Sequence, residues 1–191
     1  MQDLLERLEM WLTNNRPNYA DQLLPGLSLE EILEITNPLP FQQSDQVIEL
    51  YRWHNGTPDI YEYFFSFYRF LPLQEAVEDT MQNRAYFQEQ GAYQHIDRDL
   101  YLPGNYDWQY YWFSIFYEVK ERVVTLGSDT SSISAPIMNY FGENARTTLW
   151  FKSLKGFISA ILECYETDLY RLEEFGIDDA EEVWAKYHDL E

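Results

Sequence analysis

Cysteine, histidine and basic residues are all scarce in this chain. Its 191 residues include one cysteine, three histidines and 13 lysines and arginines, against 33 aspartates and glutamates. A single cysteine excludes an internal disulfide framework. Metal sites usually need clustered His and Cys ligands, and the three histidines here stand far apart in sequence. The chain also lacks the run of about 18 apolar residues that would indicate a membrane-spanning helix.

The sequence motifs of common enzyme classes are missing as well. No G-x-S-x-G, G-x-x-x-x-G-K-[ST] or G-x-G-x-x-G sequence occurs. Cys164 follows Ile161 by three residues on an apolar helix face, which predicts a core residue rather than a nucleophile. His95, Asp97 and Asp99 can offer metal ligands, but an ordinary polar loop fits them far better, because carboxylates are abundant in this chain and the spacing is unremarkable. Acid–base chemistry by a carboxylate pair stays open, although no pair stands out among so many acids. We therefore predict no catalytic, cofactor-binding or metal-binding residue and no enzymatic activity.

A net charge of −20 is the strongest feature that the composition does contain. Such a field repels nucleic acid and anionic membranes and steers a basic partner inward, although acidity also serves solubility alone. Residues 1–11 carry three acids and one arginine, unlike a secretory signal segment. We expect a cytoplasmic protein that binds a protein partner with a basic surface, without nucleic acid and without membrane insertion.

Apolar periodicity and capping residues predict helices toward both ends of the chain. An apolar stripe runs through residues 4–12, and Ser28 with Glu31 forms a capping box for a second helix. A third helix over 44–54 should end at a glycine stop formed by Asn55 and Gly56, with Gly56 at positive φ. We expect Trp53 to be buried beneath the sheet, and the functional alternative has His54 and Asn55 lining a ligand site. Further helices are predicted over 73–89, after Ser153, and as a short one signalled by Asp178 and Glu181.

The middle of the chain changes to β-branched and aromatic runs. Strands are predicted over 61–71, 108–117, 122–126 and 135–141, all in one sheet, with a short one over 147–151. Both faces of 108–117 are apolar, which is typical of a central strand covered on both sides. An exposed patch of Tyr and Trp for a protein partner is an alternative use of such aromatic runs. Helices flanking a mostly antiparallel sheet predict an α+β fold.

Several short motifs resemble the SUKH superfamily, which includes the yeast cell-wall-synthesis regulator and many bacterial immunity proteins. The shared features are Leu39-Pro40, a helix closing on Trp53-His54-Asn55-Gly56, a following strand, and a late helix opened by Ser153-Leu154-Lys155-Gly156-Phe157. The resemblance covers roughly residues 24–165. It implies an α+β sheet flanked by helices and no enzymatic activity. Bacterial members commonly neutralise toxins by binding them, other members act as interaction modules in regulation, and the superfamily has no fixed catalytic residues.

The C-terminal part extends past the resembling region and is unusually acidic. We divide the chain into a SUKH-like α+β domain over 1–168, including the N-terminal helix, and an acidic helical extension over 169–191. Residues 163–191 contain 11 acids and two bases, a local net charge of −9. Acids steer a basic partner and aromatics anchor it, whereas a solvated helix face with its aromatics packed on the domain is the alternative. The predicted partner-binding residues are Glu173, Glu174, Asp178, Asp179, Glu181, Glu182, Trp184 and Tyr187.

Three functions follow as hypotheses from these features. The first is a non-enzymatic protein–protein interaction module, in particular an immunity protein that neutralises a basic toxin. The second is a regulatory or scaffolding adaptor in a housekeeping assembly. The third is a hydrolase with an unrecognised carboxylate site.

Overall fold

The computed structural model of the protein describes residues 1–58, 62–89, 104–105, 110–128, 135–143, 146–171, 176–177 and 180–191. In these parts the helices are α1 (Gln2–Asn15), α2 (Pro17–Ala20), α3 (Leu29–Thr36), α4 (Asp45–Trp53), α5 (Leu73–Glu89), α6 (Leu154–Glu166) and α7 (Glu181–Tyr187). None of these helices is both long and apolar enough to cross a membrane. Each helix that the sequence predicted is present among these seven.

The predicted capping residues begin their helices as expected. The Ser28 hydroxyl accepts a hydrogen bond from the Glu31 backbone while the Glu31 carboxylate accepts one from the Ser28 backbone, which confirms the capping box of α3. Ser153 caps α6 by accepting from the Gly156 amide at 2.9 Å. Pro17 ends α1 and opens α2, because its fixed φ and missing N–H suit only the first turn of a helix.

Six strands form one antiparallel sheet in the order β1-β3-β4-β5-β6-β2. They are β1 (Arg69–Phe70), β2 (Gly104–Asn105), β3 (Trp112–Tyr117), β4 (Glu121–Leu126), β5 (Ile137–Phe141) and β6 (Arg146–Phe151), and a separate pair consists of β7 (Tyr170–Arg171) and β8 (Gly176–Ile177). The first five residues of β3 are buried between β1 and β4. This confirms the predicted α+β class and the central strand covered on both faces.

Helices cover the sheet because its two faces are both apolar. The main core joins α1, α4 and α6 to one face, which contributes Phe113, Val123 and Ile137. On the other face, a smaller cluster contains Trp112 and Val124, together with Met138 and Tyr140. Alternating side chains of neighbouring strand residues thus reach two different cores. Helix α5 packs against β3, and its Phe87 contacts the smaller cluster.

The prediction of a strand over 61–71 is wrong for most of its length. Only Arg69–Phe70 is a strand, residues 62–68 form a loop with Ser66 at φ 45°, and residue 61 lies outside the described residues. The cause is a buried arginine. The Arg16 guanidinium donates to the carbonyl oxygens of Tyr63 and Phe64, so these groups are satisfied without a strand partner. Within the loop, Phe64, Phe65 and Tyr68 are buried in the core and Phe67 is exposed, so burial does not alternate as it would along a strand.

The strand predicted over 108–117 also begins later, at Trp112. Residues 110 and 111 form a turn, and 108–109 lie outside the described residues. No local pattern predicted β2, which pairs with β6 at the edge of the sheet. None predicted the β7–β8 pair within the predicted helical extension either. Strands of two residues are too short to show an alternating pattern, so only tertiary pairing reveals them.

The end of α4 differs from the predicted glycine stop. His54 is the C-cap residue and is already extended (φ −145°, ψ 147°), so no left-handed residue closes the helix. Gly56 does have a positive φ, 70°, but it lies two residues further on. There the backbone pairs with Leu24, whose amide donates to the Gly56 carbonyl at 2.9 Å. Trp53 is half-buried against the core rather than fully buried.

Candidate functional site

The structure describes half of the predicted partner-binding residues. Glu181 and Glu182 are exposed on the first turn of α7, and Trp184 and Tyr187 are half-buried on its inner side. The four acids Glu173, Glu174, Asp178 and Asp179 lie outside the described residues. The exposure of Glu181 and Glu182 and the partial burial of Trp184 and Tyr187 give α7 an acidic outer side and an aromatic inner side.

Specific polar contacts fix α7 to the body of the protein. The Tyr187 hydroxyl donates to the Glu163 carboxylate on α6 at 2.6 Å, and the Lys186 ammonium binds the same oxygen. These two donors, Lys186 first, hold the pKa of Glu163 below its usual range. Beyond α7, the Lys152 amide donates to the His188 carbonyl at 2.8 Å. The acidic outer side therefore has a defined position relative to β6.

An aromatic strip leads from α7 to the loop before β1. We use this name for Tyr68, Trp150 and Trp184, and Phe67 precedes Tyr68 in the same loop. The ring centroids of Trp184 and Trp150 lie 6.3 Å apart, and those of Trp150 and Tyr68 lie 5.9 Å apart, both edge to face. Trp150 and Trp184 are half-buried, and Phe67 is 51% exposed at the tip of the loop before β1. Rings held in place by packing and still reachable from solvent are suited to anchoring a protein partner.

A polar cluster joins this strip where β4 and β5 meet the loop. It consists of Tyr68, Glu121 and Asn139. The Tyr68 hydroxyl donates to Glu121 Oε2, and Asn139 Nδ2 donates to the same oxygen at 2.7 Å and to the Tyr68 oxygen at 2.8 Å. Burial, together with the hydrogen bond to Glu121, raises the pKa of Tyr68 above its usual range. At neutral pH the phenol is protonated, as an ordinary tyrosine is, and it donates to the carboxylate.

Another carboxylate with several partners, Asp79, lies on the opposite face of the sheet from Glu121. Arg122 binds both oxygens of Asp79 through Nε and Nη2 at 2.9–3.1 Å, and the Ser114 hydroxyl donates to Asp79 at 2.6 Å. A guanidinium that bonds both oxygens neutralises the carboxylate. This arrangement ties α5 to β3 and β4.

Other residues with reactive side chains have structural roles. Cys164 is fully buried, as predicted, and burial raises the pKa of its thiol to about 11. The ring of His54 lies 3.0 Å from the Leu24 carbonyl through Nδ1 and 2.7 Å from the Glu9 carboxylate through Nε2. Asn55 accepts a hydrogen bond from the Leu73 amide. Both residues of the alternative ligand site are thus engaged in joining helices.

Within the described ranges, no group of three or more His, Cys, Asp or Glu side chains is placed to hold a metal ion. The metal alternative of His95, Asp97 and Asp99 lies outside those ranges.

Ion pairs neutralise many of the bases that the structure describes. Among the described residues, seven lysines and arginines lie in ion pairs with acidic side chains of the chain itself: Arg7, Arg16, Arg69, Lys120, Arg122, Lys152 and Lys186. Each such pair cancels one acid and one base, so the net charge of −20 is carried by acids beyond these pairs. A partner therefore meets a negative surface with few uncompensated cations.

The sequence missed the residues that complete the site. Tyr68, Glu121, Asn139 and Trp150 are far apart in the chain, and only the register of β4, β5 and β6 brings them together. Tyr68 and Trp150 each fell within predicted strands, but nothing in the spacing showed that they share one end of the sheet. A scan of protein-family models and a search of curated proteins found no match to this chain.

Proposed function

We propose that the chain is a non-enzymatic module that binds a protein partner with a basic surface. The observation that carries the proposal is the aromatic strip, which is packed, half-exposed and bordered by acids on α7 and at Glu121. Interfaces combine buried aromatic anchors with a charged rim, and the rim sets the rate of association. A negative field of this size increases the encounter rate with a basic protein and discourages encounters with nucleic acid.

The specific form that we propose is neutralisation of a basic toxin in the cytoplasm. Proteins that act on nucleic acid carry positive clefts, because binding phosphates needs Lys and Arg. An acidic surface with aromatic anchors is complementary to such a cleft. The motif resemblance to the SUKH superfamily supports the same proposal, since bacterial members of that superfamily bind toxins.

The test is capture of the partner from native cells by the tagged full-length chain. We expect a basic protein to be retained at low salt and released as salt rises, because exposed charges are screened. Removing two charges on α7 with Glu181→Gln and Glu182→Gln should weaken capture. The matched control is Glu30→Gln with Glu34→Gln, which removes two exposed charges from α3.

Equal loss in both double variants would assign the effect to net charge rather than to this surface. A captured protein of acidic character, or no partner at any salt, would contradict the proposal. A neutralised toxin should also lose its activity when mixed with the wild-type chain, whereas an adaptor would bind its partner without inhibiting it.

A further inference from the structure

We propose that Glu121, framed by Tyr68 and Asn139, is the seat for an arginine side chain of the basic partner. The inference rests on the proposed function and names the chemical group that this end of the sheet recognises. Its starting point is a half-buried carboxylate that has hydrogen-bond donors but no counter-ion.

The environment of Glu121 fixes the carboxylate without neutralising it. Its two partners, the Tyr68 hydroxyl and the Asn139 amide, are both uncharged donors. Among the described residues no base forms an ion pair with Glu121. The neighbouring Lys120 is held by Glu143 at 3.0 Å, and Arg122 turns to Asp79 on the other face. Carboxylates that lose part of their hydration are usually paired with a cation.

One oxygen of Glu121 remains available to a ligand. Both donors bind Oε2, whereas Oε1 accepts no hydrogen bond in the described part of the chain and is not among the buried atoms that lack a partner. Oε1 therefore reaches solvent. Glu118 adds negative charge nearby, since its carboxylate accepts from the backbone amides of Lys120 and Glu121. A cation arriving at Oε1 would meet an oriented acceptor and a second negative group.

The opposite face of the same strand shows the same residue types with an arginine in place. The guanidinium of Arg122 binds the Asp79 carboxylate and lies 5.1 Å from the ring centroid of Tyr117. Arg16 and Arg84 likewise lie over tyrosine rings, at 4.4 Å from Tyr19 and 4.2 Å from Tyr110. A carboxylate close to a tyrosine is thus how this protein holds its own arginine on β4, and Glu121 with Tyr68 repeats this pair of residue types without an arginine.

Arginine fits this seat better than lysine. A planar guanidinium carries five N–H donors in a fixed fork, so one N–H group can donate to Glu121 Oε1 while others reach neighbouring acceptors. It is also less strongly hydrated than an ammonium group, which lowers the cost of bringing it to a half-buried carboxylate.

The experiment measures binding of a single arginine to the full-length protein by NMR. The probe is the peptide Ac-Gly-Arg-Gly-NH2, and the reporters are the side-chain amide of Asn139 and the backbone amide of Glu121. We expect shifts at both reporters in the wild type. Glu121→Gln should weaken the affinity about fivefold, the range of a partly exposed ion pair. Glutamine keeps an acceptor oxygen for Tyr68 and Asn139, so the variant should fold.

Two controls make the result specific. Glu34→Gln removes the same charge from an exposed position on α3, and its affinity for the peptide should equal that of the wild type. Equal affinities of Glu121→Gln and Glu34→Gln would overturn the proposal. Binding of Ac-Gly-Lys-Gly-NH2 as tight as that of the arginine peptide, with the same loss in Glu121→Gln, would overturn the assignment to arginine.

Capture from native cells separates this inference from the proposed function. If the wild type and Glu121→Gln retain a basic partner equally well, the arginine seat is wrong and the binding module stands. If the wild type retains no basic partner, the proposed function fails, whatever the peptide titration shows. Retention by the wild type with loss in Glu121→Gln but not in Glu34→Gln supports both.

Discussion

Gly56 lies where two segments of backbone nearly touch. A Cβ atom at this position would be 2.5 Å from the Leu71 carbonyl carbon and 2.5 Å from the Pro72 nitrogen, and the residue has φ +70°. Both the contact and the conformation therefore require glycine. The requirement comes from the meeting of α4 with the start of α5, not from closing α4.

Gly56→Ala should lower the free energy of unfolding by more than about 1 kcal/mol, because alanine is strained at positive φ and here also collides with backbone. Urea unfolding at constant pH measures the change. The matched control is Gly142→Ala, where the nearest heavy atom to a new Cβ is 3.7 Å away. Gly142→Ala should be close to neutral. Similar losses in the two variants would contradict the explanation.

Asn55 acts as a cap for a helix that begins 18 residues later. Its Oδ1 accepts from the Leu73 amide at 2.8 Å, and that amide belongs to the unsatisfied first turn of α5. Asn55→Ala should cost about 1 kcal/mol of stability, as for other lost helix caps. Asn55→Asp keeps the acceptor and should retain most of the stability. If Asn55→Asp is as unstable as Asn55→Ala in urea unfolding, the capping role is wrong.

At the scale of elements, local signals located the helices better than the strands. Capping boxes and glycine or proline stops act within one turn, so α3, α5 and α6 could be predicted with their first residues. The aromatic segment 61–71 could not, because its backbone partners are the guanidinium of Arg16 and the turn at Ser66, neither of which affects the local pattern. β-Propensity there reflected burial of aromatic rings rather than strand pairing.

The attachment of α7 to α6 should depend on pH through Glu163. Because Lys186 and Tyr187 bind its carboxylate, the pKa of Glu163 is lower in the folded than in the unfolded state. A lowered pKa gives stability that is present above the unfolded value of about 4.3 and is lost as pH falls through the folded value. Glu163→Gln should thus lower the thermal midpoint at pH 6 and matter progressively less below pH of about 4.

Thermal unfolding followed by circular dichroism between these pH values tests this prediction. The control is Glu182→Gln, which removes a charge from an exposed position on the same helix pair. Its thermal midpoint should stay close to that of the wild type at every pH. A difference between the wild type and Glu163→Gln that stays constant down to the acid limit would show that the carboxylate's charge does not hold α7.

At the scale of the whole molecule, composition predicted a partner type but not a surface. A net charge of −20 favours a basic partner but does not indicate which surface that partner binds. The C-terminal acids predicted a binding surface on α7, yet much of the surface of the half-buried Trp184 and Tyr187 is packed against the domain itself. The cluster at Glu121 depends on Val123 pairing with Asn139 and on Asn139 pairing with Thr148. Register between strands is a long-range property, so no single segment could indicate it.

The same charge makes the stability of the protein depend on salt. Ion pairs lose energy as salt rises, but acids outnumber bases by 33 to 13, so repulsion between the acids that remain unpaired exceeds the attraction. The screening length shrinks from about 30 Å to about 8 Å between roughly 10 mM and 150 mM salt, which is less than the width of the domain. We therefore expect the urea midpoint at pH 7 to rise over this range of sodium chloride.

Repeating the titration near pH 4.3, where many carboxylates are protonated, should flatten the dependence, because the repulsion that salt screens is then smaller. A midpoint that falls with salt at pH 7 would mean that the seven ion pairs outweigh the repulsion between the unpaired acids.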